Sequence, residues 1–284
     1  AGFQDLKDWL KENGATERLH CCCEATGKYY ESVAEYLSKY YRMSVENPRK
    51  IKGFGTAVLQ RTKTDRQDAK TIAQYCKALE PRPWQKPTEA QTKLRELTRY
   101  QHRLKRQKAA EQIKLQTAPA YLLPLIQSTI THLQQQIKAV QNQLNQFHKD
   151  NPDYKIQKER LKTITGIGEA AANSLLSVLT QTDRFKTAAQ FVAYIGLDPK
   201  ENQSGTSLKG RPRISKLGNT HLRTTLFIPA MHAYRSSTFA KYVSRLQKNG
   251  KRPKVIIVAL MRKLAVIAFT LLKNGQDFQV ERYK

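Results

Sequence analysis

The sequence predicts an α/β layer at the N-terminus, then a pair of long helices, then a mostly helical remainder. A strand, a helix and a second strand follow one another between Arg18 and Val45, which is the order of a parallel strand pair. A heptad repeat of apolar side chains begins at Ile126 and is typical of coiled coils. From about Tyr154 onward, Gly and Pro punctuate helical patterns.

The N-terminal elements follow from apolar spacing. Phe3 to Leu10 has one apolar stripe and predicts a helix, and Arg18 to Cys23 is short and apolar, as in a buried strand. Tyr30 to Tyr41 again has helical spacing, and Arg42 to Val45 is the second strand. Glu24 comes at the carboxyl end of the first strand, where parallel sheets carry functional residues.

A basic, Gly-containing stretch from Arg49 to Lys63 predicts a loop, and Asp65 to Leu79 predicts a helix. Asp65 and Asp68 are three residues apart and face the same side of that helix. Several prolines near residue 85 mark a boundary. We therefore expect a first domain over residues 1–85.

The second predicted domain, residues 86–150, consists of two long polar helices broken near Pro119 and Pro124. Its second helix carries apolar residues in alternating steps of four and three: Ile126, Ile130, Leu133, Ile137, Val140, Leu144 and Phe147. This spacing predicts a coiled coil, within or between chains. The alternative is one face of an ordinary helical hairpin. Residues 151–284 form the third predicted domain.

The charge balance points to a polyanionic partner. The chain of 284 residues has 50 Lys and Arg against 23 Asp and Glu, a net charge of +27. Such a surplus costs self-repulsion in the folded state and is typical of nucleic-acid-binding proteins. The basic residues are spread along the whole chain rather than clustered beside an anchor, which argues against a membrane surface.

Other features agree with a cytoplasmic protein that does not enter a membrane. The most apolar stretch, Val255 to Leu272, is interrupted by Arg262 and Lys263 and is interpreted as a buried helix. The start of the chain lacks the pattern of a signal peptide. The four Cys have no zinc-ligand spacing and suit a reducing compartment.

A Gly-Ile-Gly turn, from Gly166 to Gly168, lies between two predicted helices. Backbone N–H groups at a helix N-terminus bind phosphate without distinguishing bases. The turn resembles the helix-hairpin-helix element of DNA-binding proteins, and in a chain this basic we favour phosphate contact. The alternative is a plain turn with two permissive glycines.

Glu24, Asp65 and Asp68 are candidate metal ligands. Three converging carboxylates repel one another and repel phosphate, and a divalent cation removes that conflict. Mg²⁺ takes carboxylates together with phosphate oxygens and activates an attacking oxygen. The alternative is structural: a helix cap at Asp65, a helix-dipole partner at Asp68 and a surface acid at Glu24.

The composition of residues 203–213 predicts a flexible, hydroxyl-rich, basic loop that contains Ser204. A serine hydroxyl attacks phosphorus only when it is activated and cations hold the phosphate. Those cations are available nearby: Lys209, Arg211, Arg213 and Lys216. On these grounds alone a phosphate-binding loop without a nucleophile is the simpler interpretation.

These segments occur in a recognisable order. Residues 23–27 resemble the Glu-Ala-Thr-Gly motif, and residues 63–69 the Lys-Thr-Asp-x-x-Asp-Ala motif, of the DEDD transposases of bacterial insertion sequences. This family comprises bridge-RNA-guided recombinases related to the Piv invertases. Further blocks resemble its C-terminal domain: residues 166–168, 191–199, 204–207, 216–219 and 261–265.

The resemblance implies a RuvC-like, ribonuclease-H-type first domain, a coiled-coil arm and a helical transposase domain. It implies a Mg²⁺-dependent recombinase in which Glu24, Asp65 and Asp68 are three of four metal-binding acids. It further implies that Ser204 forms a phosphoserine link to DNA. A guide RNA from the element would select the DNA sites, and a dimer or tetramer would pair one subunit's acids with another's serine.

One departure concerns the family's first Asp, which lies on an opening strand. Asp5 and Asp8 fall in a helical segment and do not match it, so we expect that strand and that ligand to be missing from this sequence. Two other functions stay open at this point. A RuvC-like junction nuclease would need the acids but not Ser204, and a non-catalytic scaffold would need only the basic surface.

Overall fold

The computed structural model describes residues 2–27, 29–180, 185–201, 203–204, 208–209 and 212–283. The chain folds as two compact units, residues 1–86 and residues 87–284, each with its own hydrophobic core.

The first unit holds a small parallel sheet and four helices: α1 (Gly2–Glu12), β1 (His20–Glu24), α2 (Tyr29–Leu37), β2 (Arg42–Glu46), α3 (Pro48–Ala57) and α4 (Asp65–Leu79). Strands β1 and β2 pair in parallel, with Glu24 opposite Glu46, so the predicted parallel pair is confirmed. The core of this unit contains Ala34, Leu37 and Met43.

The loop predicted for Arg49 to Lys63 was wrong over most of its length, because α3 occupies residues 48–57. Its start is well specified, since the Asn47 side chain accepts a hydrogen bond from the Arg49 N–H and Pro48 takes the first helical position. A side-chain cap with proline at this position outweighs the cost of two helical glycines.

The second unit contains nine helices among its described residues: α5 (Glu89–Leu115), α6 (Leu123–Asp150), α7 (Pro152–Lys162), α8 (Glu169–Leu179), α9 (Ala188–Ile195), α10 (Thr220–Thr225), α11 (Phe227–Arg235), α12 (Ala240–Lys248) and α13 (Pro253–Asn274). Four two-residue strands lie between α9 and α10: β3 (Pro199–Lys200), β4 (Gln203–Ser204), β5 (Leu208–Lys209) and β6 (Arg213–Ile214). Short 3-10 turns lie at Ala120–Leu122, Ser237–Phe239 and Val280–Arg282.

The heptad seam of α6 packs against α5 of the same chain, in the most extensive contact between any two elements. Five seam residues are buried: Ile130, Leu133, Val140, Leu144 and Phe147. Four of them, all but Ile130, share one core with Leu94 and Leu104 of α5 and with α8. The seam is therefore covered as in a helical hairpin, and the segment predicted as an arm belongs to the core of the second unit.

In helix α13, Arg262 and Lys263 interrupt the apolar stretch less than the sequence suggested. By length and composition it is apolar enough to cross a membrane, with a mean hydropathy of 2.3 in its most apolar window, despite Arg262 and Lys263. However, Leu260, Leu264 and Ala268 are fully buried in the core of this unit. Because α13 packs against α9 and α11, it is the central helix of a folded unit, as interpreted from the sequence.

Candidate nucleic-acid-processing site

Glu24 is the last residue of β1 and is half-buried. A tight turn follows it, in which Gly27 has a left-handed backbone (φ 59°). Thr26 Oγ1 lies 3.1 Å from Glu24 Oε1 and donates a hydrogen bond to it. This turn thus holds the Glu24 carboxylate at the carboxyl edge of the sheet.

Asp65 and Asp68 lie in the first turn of α4, which begins at the predicted residue. The cap is Thr64, whose side chain accepts a hydrogen bond from the Gln67 N–H, so Asp65 is not the helix cap. Asp65 is exposed, whereas Asp68 Oδ1 accepts a hydrogen bond from Gln60 Nε2 at 3.3 Å. Sequence reasoning missed Gln60, because a lone Gln in a basic stretch resembles any exposed polar residue.

Helix α4 packs against β1. Near the C-terminal end of the helix, Cys76 Sγ lies 3.6 Å from the His20 carbonyl oxygen at the start of β1, and near its N-terminal end Asp68 contacts Gln60. Among the described residues, no hydrogen bond joins Asp65 or Asp68 to Glu24.

The residues fit a divalent metal in part. Carboxylates are the donors that Mg²⁺ prefers. Yet within the described ranges no group of three or more His, Cys, Asp or Glu side chains could hold a metal ion. Glu24 and Asp68 instead accept hydrogen bonds from Thr26 and Gln60, so the three predicted ligands do not form one coordination set.

The turn between α7 and α8 uses its two glycines differently. Gly166 has a left-handed backbone (φ 94°), and a Cβ there would lie 2.5 Å from the Pro229 carbonyl oxygen. Gly168 is the exposed N-cap of α8, with no side-chain cap and open space where a Cβ would be. Gly166 is thus explained by packing, and Gly168 leaves the helix N-terminus open.

Glu169, the first residue of α8, already brings negative charge to that helix end. Lys158 of α7 lies 3.5 Å from its carboxylate, and Gln141 of α6 donates a hydrogen bond to it at 3.2 Å. These contacts join α6, α7 and α8 around the turn. A phosphate at Gly168 would therefore approach beside Glu169.

Within the loop predicted around Ser204, the described residues form two short antiparallel strand pairs, which we call the Ser204 hairpin. Strand β3 pairs with β6 at its base, and Ser204 in β4 pairs with Leu208 in β5 further out. This pairing of the described residues was not predicted from the sequence. Arg211 lies outside the described residues, and only the backbones of Ser204 and Lys209 are described.

The base of this hairpin is fastened to the end of α9. The Lys216 N–H donates to the Gly196 carbonyl at 3.2 Å, and the Asn219 N–H donates to the Tyr194 carbonyl at 2.7 Å. A Cβ on Gly218 would lie 2.2 Å from the Tyr194 carbonyl oxygen. The exposed basic residues Arg213 and Lys216 therefore stand on a fixed base.

Comparison with known proteins finds matches for both the segment that contains the three acids and the segment that contains Ser204. A family model of IS110-type DEDD transposases matches residues 1–119, and a second model, described as the transposase IS116/IS110/IS902 family, matches residues 158–244. The chain is 32% identical over 281 residues to a pilin gene-inverting protein of Moraxella lacunata, covering 98% of this chain and 87% of that protein. The chain belongs to the IS110 family of transposases.

Other members of the family are similar to this chain over the same length or over shorter stretches. The pilin gene-inverting protein of Moraxella bovis is also 32% identical over 281 residues, with the same coverage of both chains. The transposase of insertion element IS1328 from Yersinia enterocolitica is 30% identical over 170 residues, which is 56% of this chain and 48% of that protein. As a member of this family, the protein is a DNA transposase or recombinase.

Proposed function

We propose that this IS110-family member is a Mg²⁺-dependent, RNA-guided recombinase that cuts and rejoins DNA through a serine nucleophile. The observation that carries the proposal is that one chain, matched over 98% of its length by a DNA-inverting relative, contains both the acidic edge at Glu24 and the hairpin of Ser204. We assign the acids to residues 1–85, the helical arm to residues 86–150 and the serine hairpin to residues 151–284.

In the proposed step, Ser204 Oγ attacks a DNA phosphorus atom. A serine–phosphate ester forms, the bond from phosphorus to the deoxyribose oxygen breaks, and the freed oxygen leaves as a hydroxyl after taking a proton. Attack of a DNA hydroxyl on the ester reverses these changes and releases Ser204. Because one phosphate ester replaces another, rejoining needs no nucleotide hydrolysis.

Basic residues near the hairpin hold the phosphate in this mechanism: Lys209, Arg211, Arg213 and Lys216. Their positive charges stabilise the charge that develops on the pentacoordinate phosphorus. The anchored base below Lys216 supports this role, since catalytic groups act best when they are held in place. The open helix N-terminus at Gly168, with the adjoining Gly166 turn, would bind DNA backbone nearby.

Glu24, Asp65 and Asp68, which do not form one coordination set in the free chain, would come together around Mg²⁺ when DNA phosphate completes the site. The cation would supply activation of the attacking oxygen and stabilisation of the leaving one. In this chain Thr26 and Gln60 keep the Glu24 and Asp68 carboxylates in position through hydrogen bonds. A guide RNA and a dimer or tetramer are part of the proposal. Because α5 of the same chain covers the α6 seam, the subunits would be joined through other surfaces of residues 86–150. We place this activity in the cytoplasm.

The test is a search for a covalent protein–DNA adduct. The full-length protein is mixed with element-end DNA, the element's transcript and Mg²⁺, and the products are separated on a denaturing gel. We expect an adduct that disappears in Ser204→Ala and in EDTA. Cleaved DNA without an adduct, unchanged in Ser204→Ala, would mean that water is the nucleophile and that the protein is a junction nuclease. Full function in Asp65→Asn would instead indicate a non-catalytic scaffold.

A further inference from the structure

Helices α12 and α13 form a basic hairpin, residues 240–254, whose six basic side chains are all exposed: Lys241, Arg245, Lys248, Lys251, Arg252 and Lys254. No Asp or Glu occurs anywhere between Glu201 and Asp277. No ion pair joins the six side chains to an acid in the part of the chain that the structure describes. Their positive charge is thus uncompensated.

The spacing places these charges on one surface. Lys241, Arg245 and Lys248 are four and three residues apart and therefore line one face of α12, with about 6 Å and 4.5 Å of axial rise between them. The opposite side of α12 is anchored by Val243, which is buried in the core of the second unit. The charged face is consequently held by a packed helix.

A tight turn links this face to the other three charges. Gly250 adopts a left-handed backbone (φ 69°), and the Lys251 N–H donates to the Leu246 carbonyl at 3.0 Å. This is the hydrogen-bond pattern with which helices commonly end at glycine. Because α13 starts at Pro253, Lys251, Arg252 and Lys254 follow directly after Lys248.

Tyr242 lies under two cations of this region. The Arg245 guanidinium carbon is 5.4 Å from the centre of the Tyr242 ring, and Lys263 Nζ is 4.6 Å from it. Burial, and secondly the positive charge of Arg245, lower the pKa of Lys263. The cations therefore repel one another in the folded protein, which a bound anion would relieve.

We propose that the basic hairpin is a docking surface for the sugar–phosphate backbone of duplex DNA, separate from the Ser204 hairpin. The inference rests on the proposed function as a DNA recombinase and adds where the duplex is held away from the reacting phosphate. Lys and Arg on a rigid face contact phosphates without distinguishing bases. Binding here is therefore independent of sequence and sensitive to salt.

The test is the affinity of the full chain for a short duplex of arbitrary sequence, measured by fluorescence anisotropy in EDTA and without RNA, between roughly 50 and 200 mM salt. The variant is Lys241→Gln, Arg245→Gln and Lys248→Gln combined. The control, Lys138→Gln, Lys149→Gln and Lys155→Gln combined, removes the same charge from exposed positions of α6 and α7. Both variants keep the buried residues unchanged, and circular dichroism verifies their folding.

We expect the basic-hairpin variant to bind more weakly at every salt concentration. A fourfold rise in salt weakens binding by about 3.5-fold for each phosphate contact that the protein makes. The basic-hairpin variant makes fewer contacts and should therefore lose less affinity as salt rises, while the control keeps the wild-type slope. Equal slopes and affinities for the two variants would overturn the proposal.

Two other outcomes distinguish a DNA-docking surface from a membrane-binding surface and from a chain that does not bind duplex DNA. If the variant keeps its affinity for DNA but loses binding to phosphatidylserine vesicles, the surface faces a membrane and the proposal is wrong. If the wild-type chain itself does not bind duplex DNA under these conditions, the docking surface is overturned. The recombinase function is tested separately by the adduct assay, which contains RNA and Mg²⁺.

Discussion

Gly166 lies directly against Pro229, so closely that a Cβ on Gly166 would be 2.5 Å from the Pro229 carbonyl oxygen. This contact joins the turn between α7 and α8 to helix α11, which carries Pro229. The glycine that the sequence suggested for phosphate binding therefore has a packing role. Gly168, two residues later, is the one left open to solvent.

Gly166→Ala should destabilise the second unit by about 2–4 kcal/mol, because it adds left-handed backbone strain to a clash with the Pro229 backbone. Gly168→Ala, at an N-cap with open space around it, should cost at most about 1 kcal/mol. Thermal melts followed by circular dichroism measure both. Similar melting temperatures for the two variants would contradict the packing role of Gly166.

Asp65→Asn should leave folding nearly unchanged and remove DNA cleavage. Asp65 is exposed at the first turn of α4, whose cap is Thr64, so its charge contributes only about 0.3–1 kcal/mol to the helix. Asp5→Asn, in the first turn of α1, is the matched control and should keep activity. Cleavage at the wild-type rate by Asp65→Asn would exclude Asp65 from the site.

Leu144→Ala should lower the free energy of unfolding by about 3 kcal/mol, because Leu144 is 1% exposed in the core shared by α5 and α6. Ile126→Ala, at the partly exposed start of the seam, should cost much less. Melting curves report stability, and sedimentation at matched concentrations reports assembly. A dimer that dissociates in Leu144→Ala with no loss of subunit stability would place the seam between chains.

His221 should make the protein less stable in mild acid. Burial, then the charges of His102 and Arg99, lower the pKa of His221 to about 4 from 6.5. The unfolded chain therefore binds the proton first as the pH falls, so the stability present above about pH 6.5 decreases by about 2–3 kcal/mol toward pH 4.

Two histidine variants separate the contribution of His221 to acid stability from that of the carboxylates. His221→Gln should flatten the fall in melting temperature between pH 6.5 and pH 4, whereas His232→Gln, at an exposed position of α11, should keep it. A wild-type pH profile in His221→Gln would mean that His221 is not the titrating group.

The sequence by itself determined the elements that depend on neighbours along the chain. The pattern from Asp65 to Leu79 predicted α4 at the correct residues, although the cap is Thr64 rather than Asp65, and the strand–helix–strand order predicted the parallel pairing of β1 with β2. The same reasoning failed at α3, where the glycines suggested a loop while Asn47 and Pro48 start a helix. Motif order also identified the family, since each block is a local pattern.

Only the tertiary structure decided what distant residues do to one another. It showed that the heptad seam is covered by α5, that Gln60 contacts Asp68, and that Gly166 is required by Pro229. It also showed that Ser204 lies in a paired strand. These relationships depend on contacts between residues far apart in the chain, and local sequence patterns carry no information about which distant group will fill a given space.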